Sequence, residues 1–343
     1  MKKNKLLIYA IIGSLGVLFL LYYNFSSKNV EKAYSKSGGF KRIILPVDLY
    51  LAQEYTLESS DYQIVGISRN KIILREYSTR ELIVFNSDNT KSIIHLPNEL
   101  NPENISKISV DPFNEEIVEI QCQNDSKVYY YNITDQKIQQ IFDFNNYFDK
   151  IQKQSQNSFY AFIQGKTSSE MVLSLIQFDK AGKQKMLKES NIKKETMVDD
   201  GVLHLENSKL VYINYYNNTI GVIDSTLSRE DTFHTIDTIT TRPKTVTIRN
   251  GTITKFVNAP RPVNQLSQIS NGMLYINSYV KSDNDNNNTD ETIDVYDTNH
   301  NFKYIGSFSF ERINNKRMSD FLIKGKKLIV QYPNTTLIYD FSF

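Results

Sequence analysis

Leu82-Ile-Val-Phe-Asn86 is a short apolar run closed by a turn residue, and the same phrase returns five times along the chain. The other copies are Val128-Tyr-Tyr-Tyr-Asn132, Leu175-Ile-Gln-Phe-Asp179, Ile220-Gly-Val-Ile-Asp224, Ile293-Asp-Val-Tyr-Asp297 and Thr336-Leu-Ile-Tyr-Asp340. Their closing residues lie 46, 47, 45, 73 and 43 positions apart. Four of the five intervals share one period, the length of a four-stranded propeller blade, and the fifth is that period plus roughly 28 residues.

A second short run precedes each copy: Ile72–Leu74, Ile117–Ile120, Phe159–Phe162, Leu210–Ile213, Met273–Ile276 and Leu328–Val330. These runs are β-branched or aromatic and bounded by Asn, Gly, Ser or Lys, as strands are. The closing Asn or Asp has a structural explanation, since its side chain can bond backbone two residues on and open a hairpin turn. After Asp340 only three residues remain, so the last copy lacks an outer strand, whereas Arg42 to Leu57 is strand-like and precedes the first copy. Pairing that early strand with the last blade would close a ring and remove its exposed edges. The pattern predicts an all-β, six-bladed β-propeller. Seven blades is the alternative, with Lys244 to Val257 as a degenerate extra blade.

Composition agrees. The chain has 22 Tyr and 19 Phe in 343 residues but no Trp, a bias that suits half-buried strands. A net charge of +2 gives no reason to expect nucleic-acid binding, which needs a concentrated basic face. Cys122 is the sole cysteine, so no intrachain disulfide can form; it falls in a predicted strand and reads as a small packed hydrophobe.

Lys2, Lys3 and Lys5 precede an apolar run from Leu6 to Tyr23. Eighteen residues of helix span about 27 Å, close to the ~30 Å hydrocarbon thickness of a bilayer. The basic flank predicts a single-pass anchor with its N-terminus inside and the following domain extracytoplasmic, or periplasmic. The competing reading is a cleaved signal peptide, against which no small-residue cleavage site follows the run. The expected organisation is a stub and transmembrane anchor over 1–25, a flexible tether over 26–40 and a propeller over 41–343.

Over Arg42 to Phe343 the repeat length and strand order resemble those of bacterial extracytoplasmic six-bladed propellers of the TolB-like and NHL-like kind. There is no YWTD run and no WD dipeptide. The resemblance implies a shape and no particular chemistry, because propellers host both enzymes and binding platforms.

The interval that breaks the period is the most informative departure. Between Asp237 and Pro262 it carries Arg242, Lys244, Arg249, Lys255 and Arg261, and Asn250-Gly251 sits between apolar alternations as a hairpin turn does. A basic hairpin there would meet a protein or an anionic ligand, such as a phosphate, carboxylate or acidic glycan, at the propeller face. The competing reading is a solvated loop lying against neighbouring blades. The stretch from Asp283 to Glu291 offers Asp283, Asp285, Asn287 and Glu291 as oxygen ligands for calcium, but the EF-hand pattern fails and a polar hairpin loop is the better reading. His95, His204, His234 and His300 fall in different blades at unrelated spacings. No nucleophile elbow, P-loop or zinc signature occurs, so no cofactor or metal is expected. The expectation is a membrane-tethered binding or assembly module. The alternative is a hydrolase or lyase acting on a glycan or peptide at the mouth of the central channel.

Overall fold

The structure, a computed structural model, describes residues 39–342 apart from 87, 89, 168–169, 196, 249–252 and 286–289. The expected anchor at Leu6–Tyr23 lies outside the described residues, among which no helix is long and apolar enough to cross a membrane.

Six antiparallel four-stranded sheets follow one another in chain order. Blade 1 comprises β2 (Tyr62–Ser68), β3 (Lys71–Glu76), β4 (Glu81–Phe85) and β5 (Lys91–His95), preceded in the chain by β1 (Asp48–Thr56). Blade 2 comprises β6 (Lys107–Asp111), β7 (Asn114–Cys122), β8 (Lys127–Asn132) and β9 (Lys137–Asp143). Blade 3 comprises β10 (Phe148–Ser155), β11 (Ser158–Gln164), β12 (Glu170–Phe178) and β13 (Gln184–Glu195). Blade 4 comprises β14 (Gly201–Glu206), β15 (Lys209–Asn214), β16 (Thr219–Ile223) and β17 (Glu230–His234). After the pair β18 (Thr245–Ile248) and β19 (Ile253–Phe256), blade 5 comprises β20 (Asn264–Ser270), β21 (Met273–Ser278), β22 (Asp290–Asp297) and β23 (Lys303–Glu311). Blade 6 takes β24 (Asp320–Lys324), β25 (Lys327–Tyr332) and β26 (Thr335–Ser342) from the end of the chain.

Blade 6 is completed by β1, which pairs with β26 from Asp48↔Ser342 to Thr56↔Thr335. The ring therefore closes through hydrogen bonds between the two ends of the domain, as the spare N-terminal strand predicts. Seven blades are ruled out. Lys244 to Val257 holds only β18 and β19, which form a two-stranded sheet of their own, whereas a blade needs four strands with one at the axis.

The twelve sequence runs are the second and third strands of the six blades. Their closing residues do the turn chemistry expected of them, with one exception. Asp179 accepts from the backbone N–H of Ala181 and Lys183, Asn132 from Thr134 and Asp135, Asp224 from Ser228, and Asp297 from Asn299. Asn86 donates to the Thr90 hydroxyl across its turn. Asp340 instead lies inside β26 and pairs with Lys327 at 2.7 Å, because no hairpin follows it.

Each seam between neighbouring blades holds one apolar cluster. Without tryptophan, rings of Phe and Tyr fill them: Phe142, Phe144, Phe148, Phe159 and Phe178 interlock between blades 2 and 3. Burying such a ring contributes about 1.5–3 kcal/mol.

Polar contacts stitch the same seams. Asp320 of blade 6 accepts from Ile64 N of blade 1 at 2.9 Å, and Arg75 of blade 1 donates to Ile105 O and Pro102 O before blade 2. Lys153 of blade 3 meets Asp111 of blade 2 at 2.5 Å. Gln152 donates to Leu203 O, His204 meets Ser267 at 2.8 Å, and Tyr332 donates to Glu311 O, joining blades 3 to 4, 4 to 5 and 5 to 6.

The segment ahead of β1 is fastened by Arg42. Its guanidinium, 1% exposed, donates to Asp294 at 2.8 and 3.2 Å, to Asp285 at 2.6 Å and to Val280 O at 2.9 Å. Burial lowers its pKa, but Asp294 and Asp285 more than offset this and hold it above its ordinary value. Beyond Arg42, Leu45 N and Ile43 O bond Ser307 on the outer strand β23, covering that edge.

Candidate functional site

Two places gather polar side chains from several blades: the axis, and a pocket under the inserted hairpin.

Around the axis, the inner strands β2, β6, β20 and β24 line a cavity of about 450 Å³ that includes Gln63, Lys107, Ser109, Gln268 and Asp320. Its far end is lined by Lys324, which pairs with Glu115 at 2.6 Å and donates to Ile67 O. The inner strands begin at one face of the disc, and Lys107 and Asp320 each head their strand there. Lys107 and His204 are half-buried on the inner strands β6 and β14, where surrounding protein disfavours their charged forms. Burial lowers the Lys107 ammonium, with Glu119 and Asp320 pulling it back up. Burial, seconded by the Lys107 charge, drops His204 to about 3, which leaves a neutral imidazole. Asp320 is pushed up to about 6 by burial, against the pull of the Ile64 and Phe321 N–H groups it accepts from.

Glu119 lies behind Lys107 in the seam with blade 3. It is 4% exposed and accepts from Gln121 at 2.8 Å and Tyr130 at 3.1 Å. Burial raises its pKa more than those bonds lower it. Nearby, the Lys153 ammonium lies 4.2 Å from the centre of the Tyr130 ring as well as on Asp111. The carboxylates nearest the axis are thus committed to backbone, amide or ammonium partners, and the single histidine to Ser267. This arrangement presents no freely converging acid pair.

The pocket, about 280 Å³, opens on the face where the inner strands begin, between blades 3 and 4. Tyr147, Phe162, Tyr212, Tyr216 and Phe256 supply its walls, with Asp149, Asp199 and Asp200 at its edge. Phe256 comes from β19 and meets Tyr216 edge-to-face at 5.6 Å, so the insertion builds one wall. β18 and β19 pair from Thr245↔Phe256 to Ile248↔Ile253, the hairpin that the Asn-Gly dipeptide predicts. Lys150 bridges Asp149 at 3.3 Å and Asp200 at 3.0 Å. Burial alone would lower that ammonium, but the two carboxylates hold it above its ordinary value. Burial raises Asp149, and pushes Tyr215 up to about 12.

The five basic residues of the insertion do not converge on one point. Arg242 reaches down to Asp199 at 2.6 Å and stands 4.0 Å from Glu195. Lys244 and Lys255 are exposed, Arg261 is half-buried at the hairpin base, and Arg249 lies outside the described residues. Asp199 closes a turn and Asp200 follows it directly. They precede β14 rather than belong to it, and both line the pocket.

The calcium reading fails on Arg42. Asp285 is that residue's ion partner, Asp283 accepts from Gly39 N, and Glu291 is buried under Arg312 and Met318 N. Asn287 lies outside the described residues. His95, His234 and His300 stand in separate blades, His95 near Glu81 and His300 on Asp297. Among the described residues no three metal-ligating side chains cluster.

No family model and no curated protein matches the sequence. Solved structures do match in shape. An exported protein of Bacteroides fragilis superposes with a TM-score of 0.54 at 12% identity, covering 89% of this chain and 98% of its own. Virginiamycin B lyase from Staphylococcus aureus gives 0.52 at 12%, covering 87% and 99%. A DUF4221 family member from Bacteroides vulgatus gives 0.51 at 11%, covering 86% and 98%. At such identity the likeness is one of fold, and that fold is the six-bladed propeller expected from the repeat.

Proposed function

We propose that this chain is a membrane-tethered, extracytoplasmic propeller that binds a partner on the face carrying the inserted hairpin. One observation carries the reading: the only long departure from the blade period folds as a hairpin whose Phe256 walls an aromatic pocket. Aromatic rings beside paired charges are what an anchoring side chain or an anionic group of a partner requires, and Lys244 and Lys255 stand exposed above them. The position of the N-terminal segment supports the tethered half. Gly39 is held by Asp283 in the loop between β21 and β22, which lies on the same face as the hairpin. A chain arriving from the apolar run would therefore enter on the binding face and keep it within reach of membrane-bound partners.

The second reading is a hydrolase or lyase at the axis, favoured by the gathering of Lys107, His204 and Asp320 there, and the lyase neighbour has the same fold. The commitment of those carboxylates to structural bonds weighs against it.

The test is crosslinking capture from membranes with the full-length chain, partners being identified by mass spectrometry. A Tyr216→Ala/Phe256→Ala variant and an Arg242→Ser/Lys244→Ser/Arg249→Ser variant should each lose roughly tenfold or more of a specific partner. Both should melt close to the parent, because Arg242, Lys244, Arg249 and Phe256 belong to the insertion and Tyr216 to the half-buried turn between β15 and β16. Unchanged capture by both sinks the proposal. The mass of the mature N-terminus checks the tether, since loss of about the first 25 residues would make the apolar run a signal peptide.

A further inference from the structure

The axial cavity holds two groups that the fold does not use. The Lys107 ammonium is half-buried at the head of β6, near the Glu119 and Asp320 carboxylates, and among the described residues no hydrogen bond or ion pair reaches it. Gln63, on β2 across the same cavity, has a buried Oε1 with no partner. Their neighbours behave differently. Lys324 is paired with Glu115, Lys153 with Asp111, and Asp320 accepts two backbone N–H groups. An enclosed charge without a partner is costly, and a buried amide end likewise, so leaving both together around an open cavity is the mark of a site.

We propose that the axial cavity binds a small hydroxy carboxylic acid, its carboxylate on the Lys107 ammonium and its hydroxyl on the Gln63 amide. Charge selects the class. The Lys107 ammonium offers one positive charge to a carboxylate, whereas the second negative charge of phosphate would stand against Asp320 and Glu119. A hydroxyl suits Gln63 because it can give a hydrogen bond to Oε1, and the Ser109 and Gln268 side chains line the same space. The 450 Å³ available admits a ligand of that size with room for a longer carbon chain.

Calorimetric titration of the full-length protein in detergent micelles with lactate and glycolate tests this. Lactamide and phosphate serve as controls, and Lys107→Met and Lys107→Gln as variants. The expected result is saturable lactate or glycolate binding at roughly 1 mM or tighter, at least tenfold weaker binding of lactamide and phosphate, and loss of at least tenfold in both variants. Both variants should stay folded, and Lys107→Met should melt at or above the parent temperature, since it removes an enclosed charge without a partner. If Lys107→Met does not fold, Lys107→Gln alone decides the matter. The proposal is overturned if neither acid binds below about 10 mM, if lactamide or phosphate binds as well, or if a folded variant keeps parental affinity.

Discussion

Replacing Arg42 by Met tests how the N-terminal segment is held. The substitution keeps the apolar stem and deletes four donated hydrogen bonds, leaving Asp294 buried at 2% exposure with Ser307 as its one remaining side-chain partner. Breaking a buried pair from one side costs about 3–5 kcal/mol, because the abandoned carboxylate keeps its desolvation penalty. For a domain of this size the unfolding entropy is roughly 0.6 kcal/mol/K, so the melting temperature should fall by about 5–8 °C. Calorimetric melts of Arg42→Met, Asp294→Asn and the double variant give the coupling. The double variant should be clearly more stable than the two single losses summed, since the second substitution removes the stranded charge. Limited proteolysis adds an independent readout: Arg42→Met should release the segment ahead of β1 while the ring persists, because the strand's pairing with β26 is untouched. A melting shift under about 2 °C, or strict additivity, would refute the reasoning.

Other outcomes follow from single residues. Asp320 carries a folded-state pKa raised from 3.8 to about 6 by burial, so its contribution to stability is fully present below 3.8 and is lost as pH rises through 6. Urea melts at pH 4.5, 6 and 7.5 should show the parent losing stability relative to Asp320→Asn across that window; a constant difference would place Asp320 in an open environment. Gly66 sits at a bulge in β2 with φ of +150°, and a Cβ there would lie 2.8 Å from Val110 Cγ2. Gly66→Ala should therefore cost about 1–3 kcal/mol, and a neutral result in denaturant titration would contradict that backbone. Cys122 is 1% exposed with its thiol pushed up to about 12 by burial, so it should resist iodoacetamide in the native protein and react on unfolding. Rapid labelling of folded protein would show a seam looser than described.

The blade count and ring closure were legible because the second and third strands are buried on both faces and spell apolar runs such as Tyr129-Tyr130-Tyr131. The inner strands were not, since one edge of each meets the channel. Lys107–Asp111 alternates polar with apolar residues and Gly201–Glu206 is broken by His204 and Glu206, so neither spells a continuous apolar run. Lys107, His204 and Asp320 come from three blades, so no spacing relates them, and only the ring brings them to the axis. The hairpin showed itself through Asn250-Gly251. The pocket beneath it did not, because its aromatic walls are spread over two blades and one insertion. The acidic loop at Asp283–Glu291 offers oxygens as a cation site does, but the cations they meet are side chains of the protein, Arg42 at Asp285 and Arg312 at Glu291.

Ring closure by β1 and β26 also sets a timetable. β1 is made long before β26, so through most of synthesis blade 6 lacks an edge and blades 1 and 6 share no seam. A chain interrupted between Glu311 and Thr335 would keep five blades yet present an open strand to its neighbours. Enclosure of the axis would then arrive in one step, with the pairing of β1 and β26.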